Sequence, residues 1–333
     1  MKTIKPYHKE IPHDCNPYEF IEKIGRTCYK STDKITPGSA EKFVLSLKER
    51  GHWAMLEHET VYFSFDGYDY FKDFIYDLNA LQLSPNFLNI SEPEYGTFYV
   101  SGNLRAFYEL FEKMFSAPEA VCFATILMNL YYKLNEKYSL IYNGMNNPNE
   151  VDVKPLQCAD LKMYTREEFI KAHSDKPEVL FNHLTHSVLF VCDRGVSHEL
   201  VRHRPCSFAQ ESTRYCNYSK EKFGQEVTFI EPFFFVGDDV KCKSTYKVWE
   251  SAMKEAEASY MVLLSAGATP QEARSVLPNS LKTEIIMTAT EKEWQHICNL
   301  RAKGTTGAPH PQMKEVMYPW YQELQSITNG RIK

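Results

Sequence analysis

A dense group of side chains able to bind anions lies between Arg202 and Tyr215, in the sequence RHRPCSFAQESTRY. Its arginines offer rigid, permanently charged donors that can bind in bidentate fashion, and its hydroxyl groups add further hydrogen-bonding partners. Donors of this kind suit phosphate groups and planar, electron-rich heterocycles. Three interpretations follow from the residues alone: a small-molecule site, a solvated charged turn, or a patch that binds nucleic acid.

The bulk composition bears on these alternatives. The chain has 333 residues, of which 43% are hydrophobic and 14% aromatic, so it has the composition of a globular protein. Its net charge of −5 and pI of about 6.1 argue against a dedicated nucleic-acid-binding protein. A basic cluster in an acidic chain favours a focused site for a small anion, and we expect no nucleic-acid partner.

Cysteine usage and hydropathy indicate the compartment. The nine cysteines form no CxxC pair, which is typical of a reducing environment. The first residues, MKTIKPYHKEIPHDC, lack the apolar core of a secretory signal, and no apolar run approaches the ~20 residues that span a bilayer. We therefore expect a cytoplasmic protein with no membrane partner.

Two pairs of histidines resemble metal-binding pairs in spacing alone. His198 and His203 are five residues apart, about 140° round a helix, so they cannot share a metal on one helical face. His183 and His186 are three apart but lack a third ligand in the sequence. No metal site is predicted.

The elements that must position the arginine-rich segment are helices with a few strands. Strands are predicted directly after His58, at Ser187–Asp193 (SVLFVCD) and in VTFIEPFFF, which Pro232 cuts short. Ser39 is predicted to cap the second helix, Gly51 to end it, and Pro319 to kink or split the last one. Helices are predicted over 17–30, 38–51, 104–136 (broken near Ala117-Pro118), 195–204, 243–267, 270–277, 294–303 and 311–327, with a loop over 143–155.

This pattern indicates the α+β class, a β-sheet flanked by helices. We expect a single domain over residues 1–333. The segment from about 66 to 185 is predicted to be largely helical, and its stretch FYVSGNLRAFYELF is predicted to remain close to the sheet.

Five blocks of this sequence, in order, resemble the flavin-dependent thymidylate synthases. The signature is RHR, seven further residues and Ser212, followed by Arg214 and Tyr215. The other blocks are GHWAMLEHETVYFSF (51–65), CDRGVSHELVRHR (192–204), ARSVLP (273–278) and HICNLRA (296–302). The resemblance implies a single catalytic domain over 1–333 with a lineage-specific elaboration at about 66–185, and a homotetramer with active sites built between subunits. It also implies reductive methylation of dUMP to dTMP, with 5,10-methylenetetrahydrofolate as carbon donor and NADPH supplying electrons through non-covalently bound FAD.

The resemblance also implies roles for individual positions. Arg301 matches the arginine that activates the pyrimidine, and it is our candidate catalytic residue. The positions that match dUMP contacts are Glu199, Leu200, Val201, Arg202, Gln210, Glu211, Ser212, Thr213, Arg214, Arg274 and Arg301. The positions that match FAD contacts are His58, Thr60, Arg202, His203, Arg204, Gln210, Thr290, Glu291, Lys292 and His296.

Departures from the family pattern leave an alternative open. Gln210 stands where many members carry Glu, and Ala209 where many carry Asn, so the chain could be a flavin-binding reductase that lacks methyl transfer. Pro205-Cys206 resembles the nucleophile dipeptide of the unrelated cysteine-dependent synthases, and arginines nearby would depress the pKa of that thiol. Nothing else in the chain resembles that family, so a structural role is predicted for Cys206. Ser212 has no GxSxG elbow and is predicted to be a hydroxyl donor rather than a nucleophile.

Overall fold

The computed structural model describes residues 1–81, 88–116, 125–143, 145, 161–214 and 216–333. Two four-stranded antiparallel sheets form its framework. The main sheet has the order β2 (Tyr7–Ile11), β7 (Thr185–Asp193), β10 (Lys282–Thr290), β8 (Ser207–Gln210). The second sheet has the order β4 (Leu88–Glu94), β5 (Thr97–Asn103), β3 (Thr60–Asp66), β6 (Lys162–Tyr164).

Helices cover both sheets, as the α+β prediction requires. A short parallel pair, β1 (Lys2–Ile4) with β9 (Thr228–Ile230), lies beside them. The helices are α1 (Pro17–Cys28), α2 (Ser39–Glu49), α3 (Tyr68–Ala80), α4 (Leu104–Ser116), α5 (Thr125–Lys137), α6 (Ser139–Tyr142), α7 (Arg166–Ala172), α8 (Pro177–His183), α9 (Arg194–Leu200), α10 (Val240–Ser265), α11 (Pro270–Ala273), α12 (Glu291–Cys298) and α13 (Pro311–Ile327). In the part of the chain just described, no helix is both long and apolar enough to cross a membrane.

The main sheet is buried on both faces, which explains the apolar composition of its central strands. On one face, Phe190 of β7 and Met287 of β10 pack against Trp294 of α12 and Trp320 of α13. On the other face, Ile286 packs into the core shared with the second sheet and with helices α1 to α6. Successive residues of β10 therefore serve different cores, because side chains alternate across a strand.

The segment from 66 to 185 combines the predicted helices with three strands, β4, β5 and β6, that the sequence did not indicate. The first half of the stretch predicted to remain close to a sheet lies in β5, which pairs with β3 along its whole length, and the second half begins α4. Phe63 and Phe65 of β3 face the helices, while Tyr62 faces α7 through Phe169. The segment thus builds a second sheet layered with helices on both sides.

Several predicted boundaries move by one residue or more. Gly38 is the N-cap of α2 instead of Ser39, whose hydroxyl donates to Glu22 Oε2 at 2.7 Å. Gly51 ends that helix with a positive φ of 66°, as predicted. Pro319 lies inside an unbroken α13, so it does not split the helix. The predicted break near Ala117-Pro118 lies outside the described residues, as does nearly all of the loop over 143–155.

Candidate active site

The helix before the arginine-rich segment is shorter than predicted. Asp193 caps α9 by accepting from the backbone N–H of Val196 at 2.7 Å, and the helix ends at Leu200 rather than at 204. Pro205 disfavours a helical backbone at the residue before it, so the chain turns over 201–204. Arg202 and Arg204 therefore lie on this turn and not on the helix predicted over 195–204.

Four candidate residues from distant parts of the chain meet at the end of α9. Arg301 donates from Nη1 to Glu199 Oε2 at 2.7 Å and from Nε to His203 Nε2 at 3.2 Å. The ring centroids of His203 and His296 lie 6.5 Å apart in an edge-on arrangement. We name Glu199, His203, His296 and Arg301 the arginine corner.

His203 is neutral in this corner. Burial, together with the positive charge of Arg301 and the nearby His296, lowers the pKa of His203 to about 4. A neutral imidazole can accept the Nε–H of Arg301, which fixes the plane of the guanidinium group. The two hydrogen bonds use two of the five N–H donors of arginine, so the same group can also bind a planar acceptor.

Arg301 lies in a π-helical turn, whereas a regular helix was predicted over 294–303. Helix α12 ends at Cys298, and residues Asn299–Lys303 continue it with π-helical hydrogen bonding. The turn ends at Gly304, where φ is 71° and a Cβ atom would come within 2.9 Å of the Gly307 carbonyl oxygen. Turns of this kind often occur at functional sites, since they redirect one side chain from its regular position.

The other nucleotide candidates at the end of α9 and in the turn that follows it differ in exposure. Leu200 is completely buried in the core beneath the main sheet, so only its main chain can reach a ligand. Val201 is 41% exposed, and Arg202 is exposed as well.

The second half of the signature begins in β8, a strand that the sequence analysis missed. Gln210 ends this strand and donates to Ser197 Oγ at 2.9 Å and to Thr283 Oγ1 at 3.1 Å. The two residues that accept from Gln210 belong to α9 and to β10, the central strand that was also missed. The apolar and β-branched composition of KTEIIMTAT (282–290) was the signal that could have found β10.

Residues 211–214 alternate between buried and outward-facing positions. Glu211 and Thr213 are 3% and 6% exposed, whereas Ser212 is half-buried and Arg214 is exposed. Thr213 Oγ1 accepts from Arg274 Nη1 at 3.0 Å, which brings two predicted nucleotide contacts together. Tyr215, part of the signature, lies outside the described residues.

A small cavity gathers part of the predicted flavin site. It has a volume of about 170 Å³ and lies where the main sheet meets the second sheet. Four predicted flavin contacts line it: Thr60, Arg204, Thr290 and Lys292. Residues of the second sheet, Asn89, Gly102 and Asn103, form another part of its wall.

His58 lies beneath this cavity and is fully buried. Its Nδ1 pairs with Thr288 Oγ1 at 2.7 Å, and Thr288 lines the cavity. Burial lowers the pKa of His58 to about 3, so the ring is neutral. Thr60 joins the same polar region through its hydroxyl, 3.2 Å from that of Thr185.

Glu291 and His296, like Arg202, His203 and Gln210, are predicted flavin contacts that do not line the cavity. The carboxylate of Glu291 is completely buried and accepts from Arg331 Nε and Nη2, each at 2.7 Å, and it pairs with His186 Nε2 at 3.0 Å. Its side chain is therefore committed to holding the C-terminal residues against α12. His296 lies in the arginine corner and is exposed.

The thiol of Cys206 lines the cavity but is not activated there. Burial first, and then the negative charge of Glu293, raise the pKa of Cys206 well above its usual range. The arginines expected to depress this pKa do not do so. Among the described residues, no group of three or more His, Cys, Asp or Glu side chains is placed to hold a metal ion.

Comparison with known proteins identifies the family. The family model for thymidylate synthase complementing proteins (Thy1) matches residues 141–328, more than half of the chain. A flavin-dependent thymidylate synthase from Pyrococcus furiosus is 34% identical over 110 residues, which are 33% of this chain and 43% of the relative. The enzyme of the same name from Pyrococcus abyssi is 31% identical over 141 residues, or 40% of this chain and 55% of the relative.

The match to individual proteins is partial. The chain spans about half the length of the curated relatives it matches. A solved structure of the UMP/dUMP methylase PolB from Streptomyces cacaoi, bound with 5-Br dUMP, covers 99% of this chain at 12% identity with a TM-score of 0.41, and 96% of that chain is covered. The family match includes α9, the signature, the end of α12 and the π-helical turn that together build the arginine corner. The chain belongs to the thymidylate synthase complementing protein family.

Proposed function

We propose that this chain is a flavin-dependent thymidylate synthase that converts dUMP to dTMP by reductive methylation. The carbon donor is 5,10-methylenetetrahydrofolate, and NADPH supplies electrons through non-covalently bound FAD. The observation that carries the proposal is the arginine corner, which unites Glu199, His203, His296 and Arg301 from motifs about 100 residues apart. The names of the curated relatives support the same activity.

The proposed catalytic role of Arg301 follows from its contacts. Methylation at C5 requires the uracil ring to become a carbon nucleophile, which places negative charge on its N3/O4 edge. A guanidinium group held by Glu199 and His203 would stabilise that charge electrostatically without having to reorganise. Because His203 is neutral, it orients Arg301 without adding a second positive charge.

The donors around the cavity fit the anionic part of FAD. Arg204 and Lys292 supply positive charge beside the carboxyl groups of Glu57 and Glu293, and the hydroxyls of Thr60 and Thr290 supply hydrogen-bonding groups. When bound, the flavin supplies the hydride for the reduction, while these residues hold and orient it. The buried ring of His58 is hydrogen-bonded to Thr288, which lines the cavity, and so holds that side chain in place.

We propose that the active sites are completed between subunits of a cytoplasmic homotetramer. The cavity in one chain, about 170 Å³, is smaller than the roughly 300–1,000 Å³ of ordinary ligand pockets. A flavin therefore needs further walls. A neighbouring subunit that presents residues 210–214 and Arg274 towards the arginine corner would supply them.

Assays on the full chain test this proposal. Purified protein is supplied with FAD, and binding is followed by the flavin absorption bands, while light scattering gives the oligomeric state. Tritium release from C5-labelled dUMP and dTMP formation are then measured with methylenetetrahydrofolate and NADPH. We expect a yellow tetramer that releases tritium and forms dTMP.

The alternatives give different results in the same assays. A yellow protein that oxidises NADPH but releases no tritium would be a flavin reductase without methyl transfer. A colourless protein whose DNA binding depends steeply on salt would be a nucleic-acid-binding protein.

A further inference from the structure

A buried ionic cluster lies directly beneath the second half of the signature. Lys282 Nζ is 2.8 Å from Glu211 Oε2 and 2.6 Å from Glu284 Oε1. Lys30, which follows α1, forms an ion pair with Glu284 and lies 3.8 Å from Glu211. Because they lie beneath the loop, we name these four residues the lysine–glutamate base, in the sense of a support and not of a proton acceptor.

The base is withdrawn from solvent. The side chains of Glu211 and Lys282 are 2% and 15% exposed. Burial opposes the charge on Lys282, but the carboxylates of Glu211 and Glu284 outweigh it and raise the pKa of Lys282. The ammonium group is therefore permanently charged at neutral pH, and Glu211 always faces a cation.

The loop above the base is fixed at three successive anchors. Gln210 donates to Ser197 and Thr283, Glu211 pairs with Lys282, and Thr213 accepts from Arg274. The backbone N–H of Glu211 also donates to the Glu284 carbonyl oxygen at 2.8 Å. The anchors face inwards, so the intervening Ser212 and the following Arg214 are turned towards the surface.

We propose that Glu211 and Lys282 are positioning residues: their buried ion pair fixes the backbone of 210–214 so that Ser212 and Arg214 face the nucleotide. Glu211 itself does not contact dUMP. This assignment rests on the proposed function, and it differs from the role that the family resemblance implies for Glu211.

Charge supports this division of roles. A carboxylate beside the phosphate of dUMP would repel it, whereas a carboxylate already paired with Lys282 does not. A buried ion pair also holds its two side chains in one geometry. If they moved apart, each would be left as an uncompensated charge in the protein interior.

Three variants of the full chain test the role of the pair. Lys282→Met removes the cation but keeps an apolar stem, Glu211→Gln keeps the shape of the side chain without its charge, and Lys282→Arg keeps the charge. Lys176→Met is the matched control, since Lys176 forms a 2.6 Å ion pair with Glu94 at the second sheet. The dissociation constants of dUMP and FAD, the two half-reactions and the melting temperature are measured for each.

We expect Lys282→Met and Glu211→Gln to weaken dUMP binding about tenfold or more, with FAD affinity and flavin reduction within about twofold of the wild type. A double variant, Glu211→Gln with Lys282→Met, should bind dUMP no more weakly than the weaker-binding of its two single variants, because each single change already breaks the pair. Lys282→Arg should retain most of the affinity. Lys176→Met should leave both affinities unchanged.

Other outcomes overturn the inference. Unchanged dUMP affinity in folded Glu211→Gln would show that the pair does not position the loop. Equal losses of dUMP and FAD affinity would also contradict the inference, because they indicate a general structural role. If Lys282→Met does not fold, Glu211→Gln and Lys282→Arg decide the question. If the wild-type chain binds no dUMP, the proposed function fails, and this outcome is distinct from failure of the positioning role.

Discussion

The arginine corner and the lysine–glutamate base are both ionic clusters, and they lie at opposite ends of the signature. In the corner, the side chains of Arg301 and Glu199 are 23% and 34% exposed. In the base, the side chain of Glu211 is 2% exposed. An ion pair that solvent reaches can exchange its partner for a ligand, whereas a buried pair cannot do so without leaving a charge uncompensated.

The difference separates groups that do chemistry from groups that hold the chain. The contacts of Arg301 leave part of its guanidinium group for a planar acceptor. Lys282 is enclosed by two carboxylates. An ion pair between a basic residue and glutamate therefore serves in both clusters. Its exposure to solvent decides whether it can bind a ligand or only holds the chain in place.

The largest expected effect concerns stability. Lys282→Met should lower the free energy of unfolding by about 3 kcal/mol, because the buried carboxylates of Glu211 and Glu284 must then share the single cation of Lys30. Arg301→Met should lower it by no more than about 1 kcal/mol, because its partner Glu199 is open to water. Urea unfolding of the two variants measures both values. Equal losses would remove the distinction between the corner and the base.

The next effect concerns the chemistry of the corner. Arg301→Lys keeps the positive charge but loses the planar fork that binds Glu199 and His203 together. Flavin reduction by NADPH should continue, while methyl transfer should fall by about 10²-fold, as for the loss of an oxyanion-stabilising donor. Stopped-flow bleaching of the flavin and dTMP formation report the two steps separately. Equal losses in both steps would assign Arg301 to the flavin or to the fold.

A smaller effect is expected at the exposed end of the turn after α9. Arg202→Ala deletes a charged donor to an anionic nucleotide and should weaken dUMP binding by roughly tenfold or more. Stability should change little because Arg202 is exposed. Calorimetric titration with dUMP measures the affinity, with Lys176→Met as a control for loss of a surface charge. An unchanged affinity would place the nucleotide elsewhere.

The smallest effect is expected at Cys206. Its raised pKa keeps the thiol protonated, so Cys206→Ala should retain most of the synthase activity, within about twofold. The turnover number and the melting temperature are measured together. Loss of turnover in a folded variant would require a thiolate nucleophile and would contradict the flavin-dependent route.

Much of the fold was predictable from local pattern. The helical spacing predicted a helix over 17–30, which is observed as α1, and the buried run predicted a strand over 187–193, which is most of β7. Strands β8 and β10 were not predicted, because β8 has only four residues and β10 begins with three polar or charged ones. Their neighbours in the sheet stabilise them, and those neighbours are distant in sequence.

The candidate site shows the same division. The sequence by itself determined which residue types are available: the arginines, the histidines and the order of the motifs that carry them. Only the tertiary structure decided the partners of these side chains. Arg301 donates to Glu199 and His203, Glu291 accepts from Arg331, and Glu211 accepts from Lys282. The reason is physical: a charged side chain pairs with the opposite charge that folding brings within a few ångströms, and its degree of burial sets how firmly that pair is held.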